Sequence, residues 1–443
     1  MASRTLRTRS LIGTSLVALA LSCGLSSGLS GCSLVKDPAA RPRPGGPSVS
    51  PTGPVASASP TSAPIAFAEK DQRRFPEEGV RTAAVGRDVV LTMTDSTVVA
   101  RSLPDLDTAY SLSAAEDRFT DLWTDPPAGV GYTLEVSTDA GSGTAVGREH
   151  YAVQRFDLET GEIAETVTAT LPQDPGGSAS DATARIAGVE GDRVVLDSWV
   201  PGAGSSHTAV VVDLANRARP WQARPAQVLT ATDDLVVVDT GTTEVAGRVE
   251  ALDLRTGRRQ WAALPGTLGA TAVGTTDDTV TIARDDNVFP DATVTRLRLA
   301  DGTPSRPVPA TAWDWSCTPT TGTVTVCTLA DNDQGDADRV VGWDLATNRR
   351  VWSLPTANRF APIVTAVRGN LVYGLLDSGQ GVVLDGVTGE DVAGDTGGAP
   401  MALNDWGGVL LYDGTALFLP ATTPSKDGGG DFPTESPTAP PTG

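Results

Sequence analysis

Histidine is nearly absent from this chain, and that excludes more than any other feature. Only His150 and His207 occur in 443 residues, so a Ser–His–Asp arrangement would need one of them as its base. His207 has Ser205 and Ser206 beside it in "PGAGSSHTAV". Neighbours in sequence are rarely set as a triad, so an exposed loop between strands is the simpler reading. His150 precedes the strand-like "YAVQRF" in no suggestive setting. Cysteine is equally sparse, with four in all. Lysine occurs only at 36, 70 and 426, so 31 of the 34 basic residues are Arg; with the Ala, Gly and Val excess this reads as coding bias. Positive charge is lacking overall. The net charge is -20, and -23 without residues 1–31, which carry Arg4, Arg7 and Arg9 and no acid. Such a surface repels phosphates and disfavours nucleic acid and anionic lipid as partners. No apolar run reaches the roughly 20 residues of a spanning helix, and helical periodicity is scarce.

What is present begins with the N-terminus. "MASRTLRTRS" is basic, and "LIGTSLVALALSCGLSSGLSGC" follows with an apolar run and small residues, the order of a secretory signal. Leu29-Ser30-Gly31-Cys32 resembles the bacterial lipobox. The resemblance implies cleavage before Cys32 and lipid on its sulfur; Cys23, after Leu21 and Ser22, matches less well. A multi-chain lipid would hold a soluble domain at the outer face of the membrane. Cys317 and Cys327 in "WSCTPTTGTVTVC" are then expected to form a disulfide across neighbouring strands in an oxidising exterior. A metal site is the alternative, but no other Cys and only His150 and His207 exist to complete it. Residues 33–64 and the tail from 422 are Pro-, Ser- and Gly-rich and read as extended tethers. The expected organisation is a signal over 1–31, a lipidated tether over 32–64, one folded domain over 65–421 and a tail over 422–443.

That domain is built of short Val, Leu and Thr runs punctuated by Gly, Asp and Pro, which read as β-strands. "VEALDLRTGRRQW" at 249–261 has a relative at 340–352, "VVGWDLATNRRVW". Asp253, Thr256, Gly257 and Trp261 align with Asp344, Thr347, Asn348 and Trp352. "AVVVDLANRARPW" adds Asp213 and Trp221, "VQRFDLETGEIAE" adds Asp157, Thr160 and Gly161, and "GVVLDGVTGEDVA" adds Asp385, Thr388 and Gly389. Weaker copies surround Asp301 and Gly302, and Ser102 and Asp105. The reference positions 102, 157, 213, 253, 298, 344 and 385 are spaced by about 47 on average. In an all-β sequence that period indicates propeller blades of four antiparallel strands. Seven hairpins are visible, and "MALNDWGGVLLYDGTALFLPA" supplies three strands more. "APIAFAEK" near 63–70 is the expected fourth, closing an eight-bladed ring from the two ends of the domain and removing its edges; seven blades is the alternative. In each hairpin Asp and Thr would bond backbone amides, Gly would take the left-handed conformation, and Trp would pack between blades.

The pattern hydrophobic-x-x-Asp-x-x-Thr-Gly-x-x-x-Trp resembles the PQQ-like repeat of quinoprotein and BamB-like propellers, across 65–421. The resemblance implies an eight-bladed propeller. It does not imply the cofactor: the quinoproteins hold PQQ on a stacked Trp beneath a disulfide of adjacent cysteines, with calcium nearby. No cysteines are adjacent here, and the motif tryptophans belong to the scaffold, so PQQ oxidation is not expected and no cofactor is predicted.

Other motifs are weaker. "LADNDQGDADRVV" offers Asp331, Asp333, Asp336 and Asp338 for weak calcium binding, but its Gly335 falls one place early for an EF-hand and no Glu closes it. Trp313 and Trp315 share a strand face, and Trp406 stands alone; core packing and a surface aromatic patch are the alternatives. The longer intervals of 55 and 56 place enlarged loops around 125–150 and 172–182, as a candidate contact surface. The functional expectation is a lipid-anchored, extracytoplasmic scaffold that binds envelope proteins. A sugar- or ion-binding propeller, or an enzyme, is the alternative.

Overall fold

In the computed structural model, the described residues are 63–422, apart from the short segments 116–117, 140–146, 173–182, 200–206, 217–220, 243–244, 268, 286–291, 311–313 and 331–338. Cys23, Cys32, Ser205, Ser206, Trp313, the acidic loop 331–338, and the signal, tether and tail thus lie outside them.

Eight four-stranded antiparallel sheets follow one another along the chain, settling the blade count at eight. Seven are simple meanders, spanning 82–113, 119–172, 183–223, 227–267, 269–310, 314–354 and 363–394. We name their strands A to D in chain order. The eighth takes A to C from 402–420 and its D strand, Arg73–Glu78, from the other end of the domain.

The closing strand therefore lies downstream of the expected 63–70. Its sequence, "RRFPEE", does not announce a strand, because an outer strand buries only one side chain, Phe75. The stretch at 63–70 stays at the seam without being a strand: Phe67 N–H donates to Thr396 O at 2.8 Å and Ala68 N–H to Pro420 O at 2.8 Å. Tyr373 Oη donates to Pro64 O at 2.6 Å.

Each blade is covered on both faces by its neighbours, so its middle strands are apolar without alternation. Val89–Met93 is buried at every position, while the outer strand Asp391–Gly394 buries none. Buried apolar side chains form eight clusters, one at each blade boundary. Burying such side chains at about 25 cal/mol per Å² is what holds the ring. The expected disulfide is present: Cys317 and Cys327 pair directly across strands A and B of blade six. Trp315 is core, 4% exposed and edge-to-face with Trp343 at 5.6 Å. Trp406 is half-buried at the closing boundary and donates to Asp88 Oδ1 at 3.2 Å, so it forms no free aromatic patch.

The meander puts A–B and C–D turns at one end of the ring and B–C and D–A links at the other. The first interval is long for a different reason than expected. Much of 125–150 is strand, because blade two runs Val130–Asp139, Arg148–Asp157 and Ile163–Pro172 as ten-residue strands. Residues 173–182 lie outside the described set.

Candidate functional site

The repeat hairpins account for the first set of conspicuous residues. Asp253 Oδ1 accepts from Arg255 N–H at 3.1 Å, Thr256 N–H at 2.8 Å and the Thr256 hydroxyl at 2.8 Å. Asp157 does the same with Glu159 and Thr160, and Asp385 with the amides of Val387 and Thr388. Asp344 takes the Thr347 hydroxyl at 2.6 Å, and Asp213 takes Asn216 N–H at 3.0 Å. These bonds favour the ionised carboxylate. The Thr256 hydroxyl holds Asp253 below the usual range, and the Thr160 amide does so for Asp157.

Gly161, Gly257 and Gly389 have φ of 70°, 66° and 72°, a region costly for any residue with a Cβ. The ring from the preceding blade also lies on the glycine. A Cβ at Gly257 would fall 2.7 Å from Trp221, and one at Gly389 2.6 Å from Trp352. Trp261 lies in the same way on Gly302. Each indole N–H then donates to the carbonyl following the reference position in the next blade: Trp221 to Leu254 at 2.9 Å, Trp261 to Leu299 at 2.7 Å and Trp352 to Gly386 at 2.9 Å.

Tyr110 was missed by sequence reasoning. It holds the tryptophan position of the weak first copy, lies on Gly161 and donates its hydroxyl to Leu158 O at 2.9 Å. Its place eight residues after Ser102 is the signal, hidden because Tyr stands where the clearer copies carry Trp. These residues fix blade geometry, and none of them points a free group at a ligand.

The second set lies at the opposite end, where blades two and three share buried charges. Glu149, 2% exposed, accepts from Tyr151 Oη at 2.5 Å and from Arg224 Nη2 of blade three at 3.3 Å. Tyr151 Oη also lies 2.8 Å from Ser198 Oγ. Burial, with Glu149 beside it, pushes the Tyr151 hydroxyl pKa up. Asp197, fully buried, takes Arg185 Nη2 at 3.2 Å and His207 Nδ1 at 3.0 Å. His207 stacks on Trp199 at 5.6 Å. It is thus the first residue of a strand, held by an acid and a ring, and not an exposed loop histidine. His150 pairs with Asp139 Oδ2 at 3.0 Å and Thr170 Oγ1 at 2.9 Å. Deeper, Asp121 accepts from Ile186 N–H at 2.6 Å and Leu122 N–H at 2.9 Å, yet burial raises its pKa to about 6.

The sequence hid this seam because its members come from two blades and none repeats. Buried pairs of this kind rarely add net stability over an apolar core. Their presence marks this end as chemically distinct from the rest of the ring. Among the described residues, no group of three or more His, Cys, Asp and Glu is arranged to hold a metal.

No protein-family model matches the chain, and no curated protein does. Solved structures do. The computationally designed Ika8 protein matches with a TM-score of 0.52 and 16% identity, over 81% of this chain and 100% of that one. BamB from Moraxella catarrhalis matches with a TM-score of 0.48 and 15% identity, over 80% of this chain and 99% of that one. At such identities the likeness to Ika8 extends to the fold alone.

Proposed function

We propose that the chain is a lipid-anchored, extracytoplasmic β-propeller acting as a protein-binding or scaffold module of the cell envelope. The observation that carries this reading is the difference between the two ends of the ring. At the A–B and C–D end, the recurrent polar and aromatic side chains are spent on hairpins and blade docking. At the other end blade two extends its long strands, and the buried charges gather beneath the surface. An extended, charged end on a rigid ring suits recognition of another macromolecule. The lipobox-like Leu29–Cys32 stretch supports membrane attachment, and the disulfide fits an oxidising compartment.

Two measurements test the proposal. Mass spectrometry of the mature N-terminus should find a lipid-modified peptide starting at Cys32; an unmodified peptide retaining earlier residues rules the anchor out. Affinity purification from crosslinked membranes should recover defined envelope proteins in fixed ratio to the propeller. Recovery of the propeller alone, with or without a small molecule, rules out the scaffold role.

A further inference from the structure

A cavity of about 580 Å³ opens between blades three and four, beside the charged seam, and its wall holds Arg224, Arg248, Arg259 and Glu250. Three guanidinium groups thus meet two carboxylates, Glu250 on the wall and Glu149 buried behind Arg224, in a chain of net charge -20. Glu250 is already shared: its Oε1 takes Arg248 Nε at 2.6 Å and Arg259 Nη1 at 3.2 Å. Arg224 gives Nη2 to the buried Glu149, while its own Nε is buried without a partner.

One guanidinium charge is thus in excess of the two carboxylates, and an anion that joins the three relieves the imbalance. A planar guanidinium offers paired N–H groups that match the two oxygens of a carboxylate or phosphate. Val238, Ala226 and Leu252 supply an apolar part of the wall, suited to a short carbon skeleton. We infer that this cavity binds a small organic oxyanion, a carboxylate or phosphate group on a compact skeleton, with Arg224, Arg248 and Arg259 as its ligands. The inference goes beyond the scaffold role and does not depend on the lipid anchor or on a protein partner.

The test is calorimetric titration of the full chain with inorganic phosphate and, separately, with citrate, at an ionic strength held constant with sodium chloride. Arg224→Ala would strand Glu149 and risk unfolding, so the variants are Arg248→Gln and Arg259→Gln, whose side chains are 46% and 53% exposed. Saturable binding of either probe at millimolar concentration is expected, weakened about tenfold in each variant with the melting temperature unchanged. Preference for phosphate or for citrate tells the two oxyanion classes apart. If neither probe binds saturably, or if both variants bind as the parent does, the inference is overturned. A failed search for envelope partners would leave this titration unaffected.

Discussion

Blades four and five are docked by a ring laid on a glycine, and blades five and six are not. At the first boundary Trp261 lies on Gly302 and donates to Leu299 O. At the second, the tryptophan position is Arg306 and the glycine position is Asn348, with φ of 54°. Arg296 reaches across instead, giving Nη1 to Leu345 O at 3.2 Å and to Ala346 O. A cavity of about 500 Å³ lies there, lined by Arg296, Ser305 and Leu345 among others. The contrast teaches that the motif is a pair split between neighbouring blades. A ring needs a glycine to lie on, and where asparagine brings a Cβ the ring is replaced by a cation on the same carbonyl. The charged seam of blades two and three is a third way of joining blades, built from groups that are costly to bury.

The largest effect is expected at the docked boundary. Trp261→Ala removes a buried ring and its bond to Leu299 and should cost about 3–5 kcal/mol, read from denaturant unfolding. Arg306→Ala should stay within about 0.5 kcal/mol, and equal losses at both sites would mean that the docked ring adds nothing to its boundary. The seam comes next. Glu149→Ala leaves the half-buried Arg224 without its carboxylate and should cost about 3 kcal/mol. Glu149→Met combined with Arg224→Met should recover most of that loss, and a double variant as unstable as the single one would show that the pair itself stabilises the ring.

Smaller effects follow. Asp253→Ala removes three bonds from one turn and should cost about 1 kcal/mol, on the scale of losing a helix cap. The seam and the hairpins should also respond to pH in opposite directions. Asp121 titrates at about 6 in the folded chain, against about 3.9 unfolded, so between these values the folded state binds the extra proton. Stability should rise as pH falls through that window, and Asp121→Asn should abolish the rise. Asp157 and Asp253 are lowered instead. Their contribution is present above the unfolded value and is lost as pH falls through their lowered pKa values. The smallest change is expected from Arg306→Trp, which should gain nothing alone because Asn348 blocks the seat. Adding Asn348→Gly should let the ring dock and stabilise measurably.

How much the sequence revealed follows the same division. The hairpins were legible because Asp, Thr, Gly and Trp recur at fixed spacing, and each does one local job in each copy. Even the degenerate copies at 102 and 298 share a backbone bond with the others. The residue after each reference position donates to the A–B turn of its own blade, Leu103 to Asp88 O and Leu299 to Asp278 O. Arg73–Glu78 was illegible because an outer strand needs only one buried side chain, and pairing with distant Thr415–Phe418 leaves no local trace. The seam was illegible for the opposite reason. Glu149, Asp197, Arg224 and His207 acquire meaning only when blade three folds and packs on blade two, and each alone looks like a solvated charge.

If recognition lies at the end carrying the charged seam and the hairpin end is scaffold, crosslinking tells the two ends apart. A photo-crosslinking residue at Thr170, exposed beside His150 at the seam end of blade two, is compared with one at Val387, 41% exposed in a C–D turn. In intact membranes, position 170 should give a discrete adduct with an envelope protein and position 387 none. An adduct at 387 with none at 170 would reverse the assignment of the two ends.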